Sequence, residues 1–155
     1  MTRNAKALTV STSVAAHTRD DASGDELESL LTTAGFTVIE RMVIPDGEDN
    51  VAAALIRLCD GFAGLLLTTG GTGFAPSDQT PEGTARVLER QAPGLVEAMR
   101  AVNKLGRLSR GNAGTLGDVL VINLPGSPRA VKEQFDAVSD SLEHILDLMA
   151  GGHPH

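Results

Sequence analysis

The sequence has no tryptophan, no tyrosine and only four phenylalanines among its 155 residues. Its core must therefore be filled by Leu, Val, Ile and Ala. The same shortage excludes the aromatic platforms on which single-stranded nucleic acid stacks. Positive charge is scarce as well: 13 Lys and Arg stand against 20 Asp and Glu, a formal net charge of -7. Nucleic-acid binders need a basic stripe to neutralise phosphates. The longest basic-leaning stretch, Lys104 to Arg110, carries only three positive charges. An acidic chain that takes an anionic ligand must rely on backbone N–H groups, a few Arg, or a metal ion.

Cysteine is nearly absent too. Cys59 stands alone, so no internal disulfide can form. It falls on the apolar face of a predicted helix and reads as a small core hydrophobe, with a catalytic thiol as the alternative. No run approaches the roughly 18 apolar residues of a membrane span. Met1 to Val10 lacks the apolar centre of a signal peptide, so a cytoplasmic location is expected.

What remains is an ordinary globular mixture, 41% hydrophobic and 21% charged. One domain is expected over residues 1–150, with a flexible tail at 151–155. His153 and His155 in that tail read as solvated rather than as metal ligands. Lys6 to Ser13 and Phe36 to Ile44 read as strands. Between them Ser23-Gly24-Asp25-Glu26 has capping-box spacing, so Ser23 is expected to start a helix that Gly35 ends. Val51, Leu55, Leu58 and Phe62 give a second helical face. Ala63 to Thr69 is a short apolar run without polar alternation, the pattern of a central strand covered on both faces. Thr80-Pro81 predicts a helix start with Thr80 as cap, and Pro93 predicts another. Arg107 to Asp118 reads as a loop or loose hairpin, and Val119 to Leu124 as the last strand. Ser127-Pro128 opens a long amphipathic helix through Met149. Strands alternating with helices predict a three-layer α/β/α fold around a mostly parallel sheet.

In such sheets ligands bind beyond the carboxyl ends of the strands. Three loops fall there: Pro45 to Asp49, Gly70 to Asp78, and Pro125 to Ser127. Thr69-Gly70-Gly71-Thr72-Gly73 is either a tight strand-to-helix turn or a nest of N–H groups for an anion. No Lys-Ser/Thr follows it, so it is not a Walker loop, and Pro76 breaks a dinucleotide fingerprint. Asp46 and Asp78, from neighbouring strand ends, are either turn and cap residues or a pair able to share Mg²⁺ with phosphate oxygens. Ser109 offers a hydroxyl. Arg110 is either a bidentate phosphate partner or a solvated surface cation. Gly126 and Ser127 sit at a helix N-terminus, a ready anion site that plain helix initiation explains equally well.

These motifs resemble the molybdopterin adenylyltransferase family, the Mog and MoaB-type proteins and their gephyrin-type relatives. The matching text is Leu67 to Glu82, LTTGGTGFAPSDQTPE; then Pro93-Gly94 with Glu97; then Leu108-Ser109-Arg110; then Asn123 to Ala130, NLPGSPRA. Asp21-x-Ser23-Gly24 and Pro45-Asp46 fit as well. The resemblance implies joining of molybdopterin to AMP from Mg-ATP with release of pyrophosphate. It implies that Asp46 and Asp78 are the essential acids, and that Thr69 to Gly73, Ser109 and Gly126-Ser127 lie in ligand-binding loops. It also implies a homo-oligomer, trimer or hexamer. Ser77 and Ser11-Thr12-Ser13 stand where many members carry charge. A non-catalytic pterin-binding or assembly protein of the same fold is therefore the alternative.

Overall fold

A computed structural model describes residues 3–152. His153 and His155 lie outside them. The first strand, β1 (Arg3–Val10), stops before the predicted end: Ser11 to Ser13 leave the sheet, and Thr12–Ala15 form a single helical turn, α1. Helix α2 (Ala22–Thr33) leads into β2 (Phe36–Ile44), then α3 (Glu48–Cys59) and β3 (Gly64–Thr69). Helix α4 (Thr80–Val87), the two-residue β4 (Arg90–Gln91) and α5 (Pro93–Arg100) follow. A 3-10 turn (Lys104–Leu108) precedes the hairpin of β5 (Ala113–Leu116) and β6 (Val119–Leu124), and α6 (Pro128–Met149) completes the domain.

The six strands lie in the order β2-β1-β3-β6-β5-β4. The first four are parallel, β5 runs against β6, and β4 runs against β5 at that side. This is the expected three-layer arrangement. Leu65 and Leu67 of β3 face α2 and α6 with Leu27, Leu31, Phe135 and Leu142. Leu66, between them, faces α3 with Val51, Leu55 and Leu58. Both faces are covered, which is why the run shows no polar alternation.

Two caps differ from expectation. Helix α2 is capped by Asp21, not Ser23: Asp21 Oδ1 accepts the Gly24 N–H at 3.1 Å. Asp21 is held in place by Thr9 Oγ1 at 2.9 Å and Arg41 Nη2 at 2.9 Å. A tertiary network thus selects the capping carboxylate over the local hydroxyl. Thr80 is likewise the first helical residue rather than the cap, and its hydroxyl donates to Gly70 O at 2.9 Å. Gly35 ends α2 in the left-handed region (φ 93°), as expected. Phe62 lies past the end of α3 and covers Lys6, whose Nζ stands 4.4 Å from the ring centroid. That ammonium donates to Leu58 O at 2.9 Å, in the last turn of α3 where positive charge is favoured. Cys59 packs against the α3-side core, and burial pushes its thiol up to about 11. It behaves as a packing residue rather than as a nucleophile.

Candidate functional site

The chain passes from β1 to β2 on one side of β1 and to β3 on the other, so the strand order reverses between β1 and β3. A crevice at such a reversal is where open α/β sheets take ligands. The glycine-rich loop after β3 begins there. A methyl group on Gly70 would stand 2.3 Å from Val10 O, so only glycine lets the loop cross the end of β1.

The loop's carbonyls are all tied outward. Gly70 O accepts from Thr80 Oγ1 at 2.9 Å and Gly71 O from Thr80 N at 3.1 Å. Thr72 O accepts from Arg110 N at 2.9 Å and Gly73 O from Arg110 Nε at 2.7 Å. Gly70 N donates to Leu124 O. The N–H groups of Gly71, Thr72 and Gly73 have no partner among the described residues. Three successive free donors, with their carbonyls held away, make an anion nest. Thr69 is fully buried and donates to Pro125 O at 2.6 Å, joining this loop to the one after β6.

The two carboxylates flank the nest. A methyl group on Gly71 would lie 3.3 Å from Asp46 Oδ1, and one on Gly73 would lie 2.9 Å from Asp78 Oδ2. Asp46 Oδ2 accepts from Thr12 N at 3.1 Å and Thr12 Oγ1 at 3.0 Å. Those contacts explain the helical turn after β1: it brings a donor pair to the Asp46 carboxylate. Asp78 Oδ2 accepts from Ala75 N at 2.9 Å and closes the turn before α4. In each acid the other oxygen takes no hydrogen bond from the described residues. Such hard oxygen donors suit Mg²⁺. Among the described residues no three His, Cys, Asp or Glu side chains gather as a protein-only metal site. Two carboxylates could hold such an ion only together with ligands from outside the described residues.

Beside the nest an open cavity of about 930 Å³ is lined by Gly71 to Gly73, Asp78, Ser109, Gly126 and Ser127. That volume suits a small-molecule site. Asp46, Thr69, Gly70 and Arg110 do not line it. Ser127 caps α6, accepting from Ala130 N at 3.3 Å. Arg110 is committed to the protein: it reaches Gly73 O, Asp78 O at 2.8 Å and Glu82 at 2.7 Å, and lies under the exposed Phe74 ring. Its guanidinium shapes the loop that carries the nest. Free positive charge comes instead from Lys104, which lines the cavity and has no ion pair among the described residues. Arg129 also lines it but pairs with Glu133 at 3.0 Å. In the sequence Lys104 stands out only as part of the basic-leaning stretch Lys104 to Arg110, too weak a run for nucleic acid. Asn103, Leu105 and Gln134 line the cavity as well, and no sequence motif marked them.

The Arg110 hydrogen bond holds the Glu82 carboxyl below its ordinary 4.5. A depressed carboxylate contributes stability above its unfolded pKa, and that contribution disappears as pH falls through the lower folded value. The loop should thus stay closed through the ordinary carboxylate range and loosen only at more acid pH. Protection of the Ala75 and Asp78 amides, taken relative to the intrinsic exchange rate at each pH, should fall only there. Glu82→Gln should abolish that acid step.

The chain matches the family described as "Probable molybdopterin binding domain" over residues 6–144. The molybdopterin adenylyltransferase of Helicobacter pylori is 34% identical over 141 residues, covering 86% of this chain and 80% of that protein. The molybdenum cofactor synthesis protein cinnamon of Drosophila melanogaster is 38% identical over 149 residues, but this chain spans only 25% of its length. The crystal structure of the molybdopterin biosynthesis enzyme MoaB from Thermus thermophilus superposes with a TM-score of 0.89 at 37% identity, covering 96% of this chain and 97% of that one. With the family matched across nearly its whole length and the fold shared throughout, this chain belongs to the "Probable molybdopterin binding domain" family.

Proposed function

We propose that this chain serves molybdenum cofactor biosynthesis as a molybdopterin adenylyltransferase, joining molybdopterin to AMP from Mg-ATP with release of pyrophosphate. The observation that carries this reading is the nest of three free N–H groups flanked by Asp46 and Asp78 at the sheet's reversal point. Relatives named for this activity at 34–36% identity support it.

The pterin's terminal phosphate oxygen attacks the α-phosphorus of ATP, a P–O bond forms in line, and the bond to pyrophosphate breaks. Little covalent chemistry falls to the protein, so its work is positioning and charge stabilisation. The N–H groups of Gly71 to Gly73 hold phosphate oxygens, and Gly126 and Ser127 add the N-terminus of α6. Asp46 and Asp78 would hold a Mg²⁺ brought by the nucleotide, and its charge would offset their repulsion of phosphate. Ser109 and Lys104 line the other wall. Arg110 orders the loop. The chain works in the cytoplasm as a homo-oligomer, trimer or hexamer. The exposed apolar side chains of Phe74, Leu105 and Leu108 beside the site support an assembled state. Among the described residues no helix is long and apolar enough to cross a membrane.

The reading is tested by pyrophosphate release. Release is expected only when ATP, molybdopterin and Mg²⁺ are all present. Pterin binding without any release would overturn it.

A further inference from the structure

Gln134 is a polar side chain with no reason to be buried that the fold supplies. It sits on the first turns of α6, is 3% exposed, and lines the cavity. Its Oε1 is buried without a hydrogen-bond partner, the one such side-chain atom among the described residues. Its Nε2 makes no hydrogen bond to the described residues but, unlike Oε1, is not a buried atom. Thr68, Thr84 and Asn123, also fully buried, are by contrast linked to one another: Asn123 Nδ2 donates to Thr68 Oγ1 at 3.0 Å and to Thr84 Oγ1 at 3.1 Å. A buried amide oxygen left unpaired costs folding free energy and calls for an explanation outside the folded chain itself.

Its position supplies one. Ser127, Ala130 and Gln134 follow at helical spacing on one face of α6, and all three line the cavity. Ser127 marks the helix N-terminus, where phosphate is favoured. Gln134 lies seven residues on, roughly 10 Å along the axis at 1.5 Å per residue. That is about the reach from a ligand's phosphate to its ring system. A carboxamide presents one acceptor and one donor side by side, whichever way its two ends are turned.

We propose that the Gln134 carboxamide reads the donor–acceptor edge of the substrate's nitrogen heterocycle. The inference rests on the function proposed above and extends it to a specificity residue. Two ligand rings carry such an edge: the pterin, with a ring N–H beside a carbonyl, and adenine, with an amine beside a ring nitrogen. The ring that binds leaves the buried amide satisfied, and a ring without that edge leaves it orphaned.

Calorimetry of wild type and Gln134→Met, with molybdopterin and with Mg-ATP separately, tests this. Affinity for one ligand should fall about tenfold while the other is unchanged. The ligand that weakens identifies the ring. The unliganded variant should melt no lower than wild type, because an unpaired amide has been replaced by an apolar chain of similar volume. On the ligand side, wild type should prefer pterin over 3-methylpterin, or ATP over N6,N6-dimethyl-ATP, by about tenfold, and Gln134→Met should lose that preference. A variant that binds both ligands as tightly as wild type overturns the inference. So does a fall in both affinities with a lower melting temperature, which marks a collapsed wall. If the variant does not fold, wild type alone decides, and equal binding of methylated and parent rings overturns it. Wild type that binds neither molybdopterin nor Mg-ATP overturns the proposed function, and this inference with it.

Discussion

Asp78→Asn should lower the rate of pyrophosphate release by about 10²–10³-fold, the usual scale for losing one charge-stabilising group, while leaving the fold intact. The side chain has two tasks that this substitution separates. Its Oδ2 accepts the Ala75 N–H and so closes the turn before α4. An asparagine carbonyl can take over that bond. Its negative charge lies beside Gly73, at the edge of the cavity, and asparagine cannot supply it. The chain already carries a net charge of -7, so an acid beside a phosphate nest is repulsive unless a cation stands between them. The sign of the effect should therefore depend on Mg²⁺. Without the ion, Asp78→Asn should bind nucleotide more tightly than wild type, because a repulsion is gone. With the ion, it should bind more weakly, because a ligand of the ion is gone. Asp78→Ala removes the turn contact as well and should also lower the melting temperature. Titrations with and without Mg²⁺, beside thermal melts and pyrophosphate assays, separate these cases. Near-wild-type turnover in Asp78→Asn would remove Asp78 from the mechanism.

The layers of the fold were legible because they depend on patterns that a linear sequence carries. Leu65 to Leu67, an unbroken apolar run, marked the central strand, and the stripe from Val131 to Met149 marked α6. The caps were harder to read, because the choice between Asp21 and Ser23 is made by Thr9 and Arg41, which arrive from other strands. The same holds for Thr80, whose hydroxyl is claimed by Gly70 O across the site. The glycine loop announced itself, since three glycines in four positions have few other uses. That its N–H groups are free follows only from where Thr80 and Arg110 place their donors. Arg110 illustrates the limit most plainly: its residue type suggested a phosphate partner, yet its donors go to Gly73, Asp78 and Glu82. Gln134 left no mark at all, because it sits next to Phe135 in a helix read by its apolar positions.

The second large effect expected is on Gly70, and it tests the geometry of the reversal point rather than the chemistry. Gly70 and Gly35 share the same backbone angle, φ 93°. Alanine at either position meets the cost of a left-handed conformation, about 1–2 kcal/mol. The surroundings differ. At Gly35 an added methyl group meets nothing within 4 Å, whereas at Gly70 it meets Val10 O at 2.3 Å. That oxygen is backbone at the end of β1, next to the pairing of Thr9 with Thr69, and cannot swing aside. Relief requires β1 and β3 to part at the crevice or the loop to lift, and overpacking of this kind adds about 1–3 kcal/mol. Gly70→Ala should thus cost about 3 kcal/mol in all, and Gly35→Ala only the conformational share. At this chain length the difference amounts to several degrees in Tm, at about 2–4 °C per kcal/mol. Activity should divide the two variants further. Lifting the loop breaks the bonds of Gly70 with Leu124 O and Thr80 Oγ1, which hold the nest's carbonyls away from the ligand. Gly70→Ala should therefore lose most of its turnover at temperatures where it is still folded, whereas Gly35→Ala, at the far end of α2, should keep it. Equal stability and equal turnover in the two variants would mean that the loop does not need its close approach to β1.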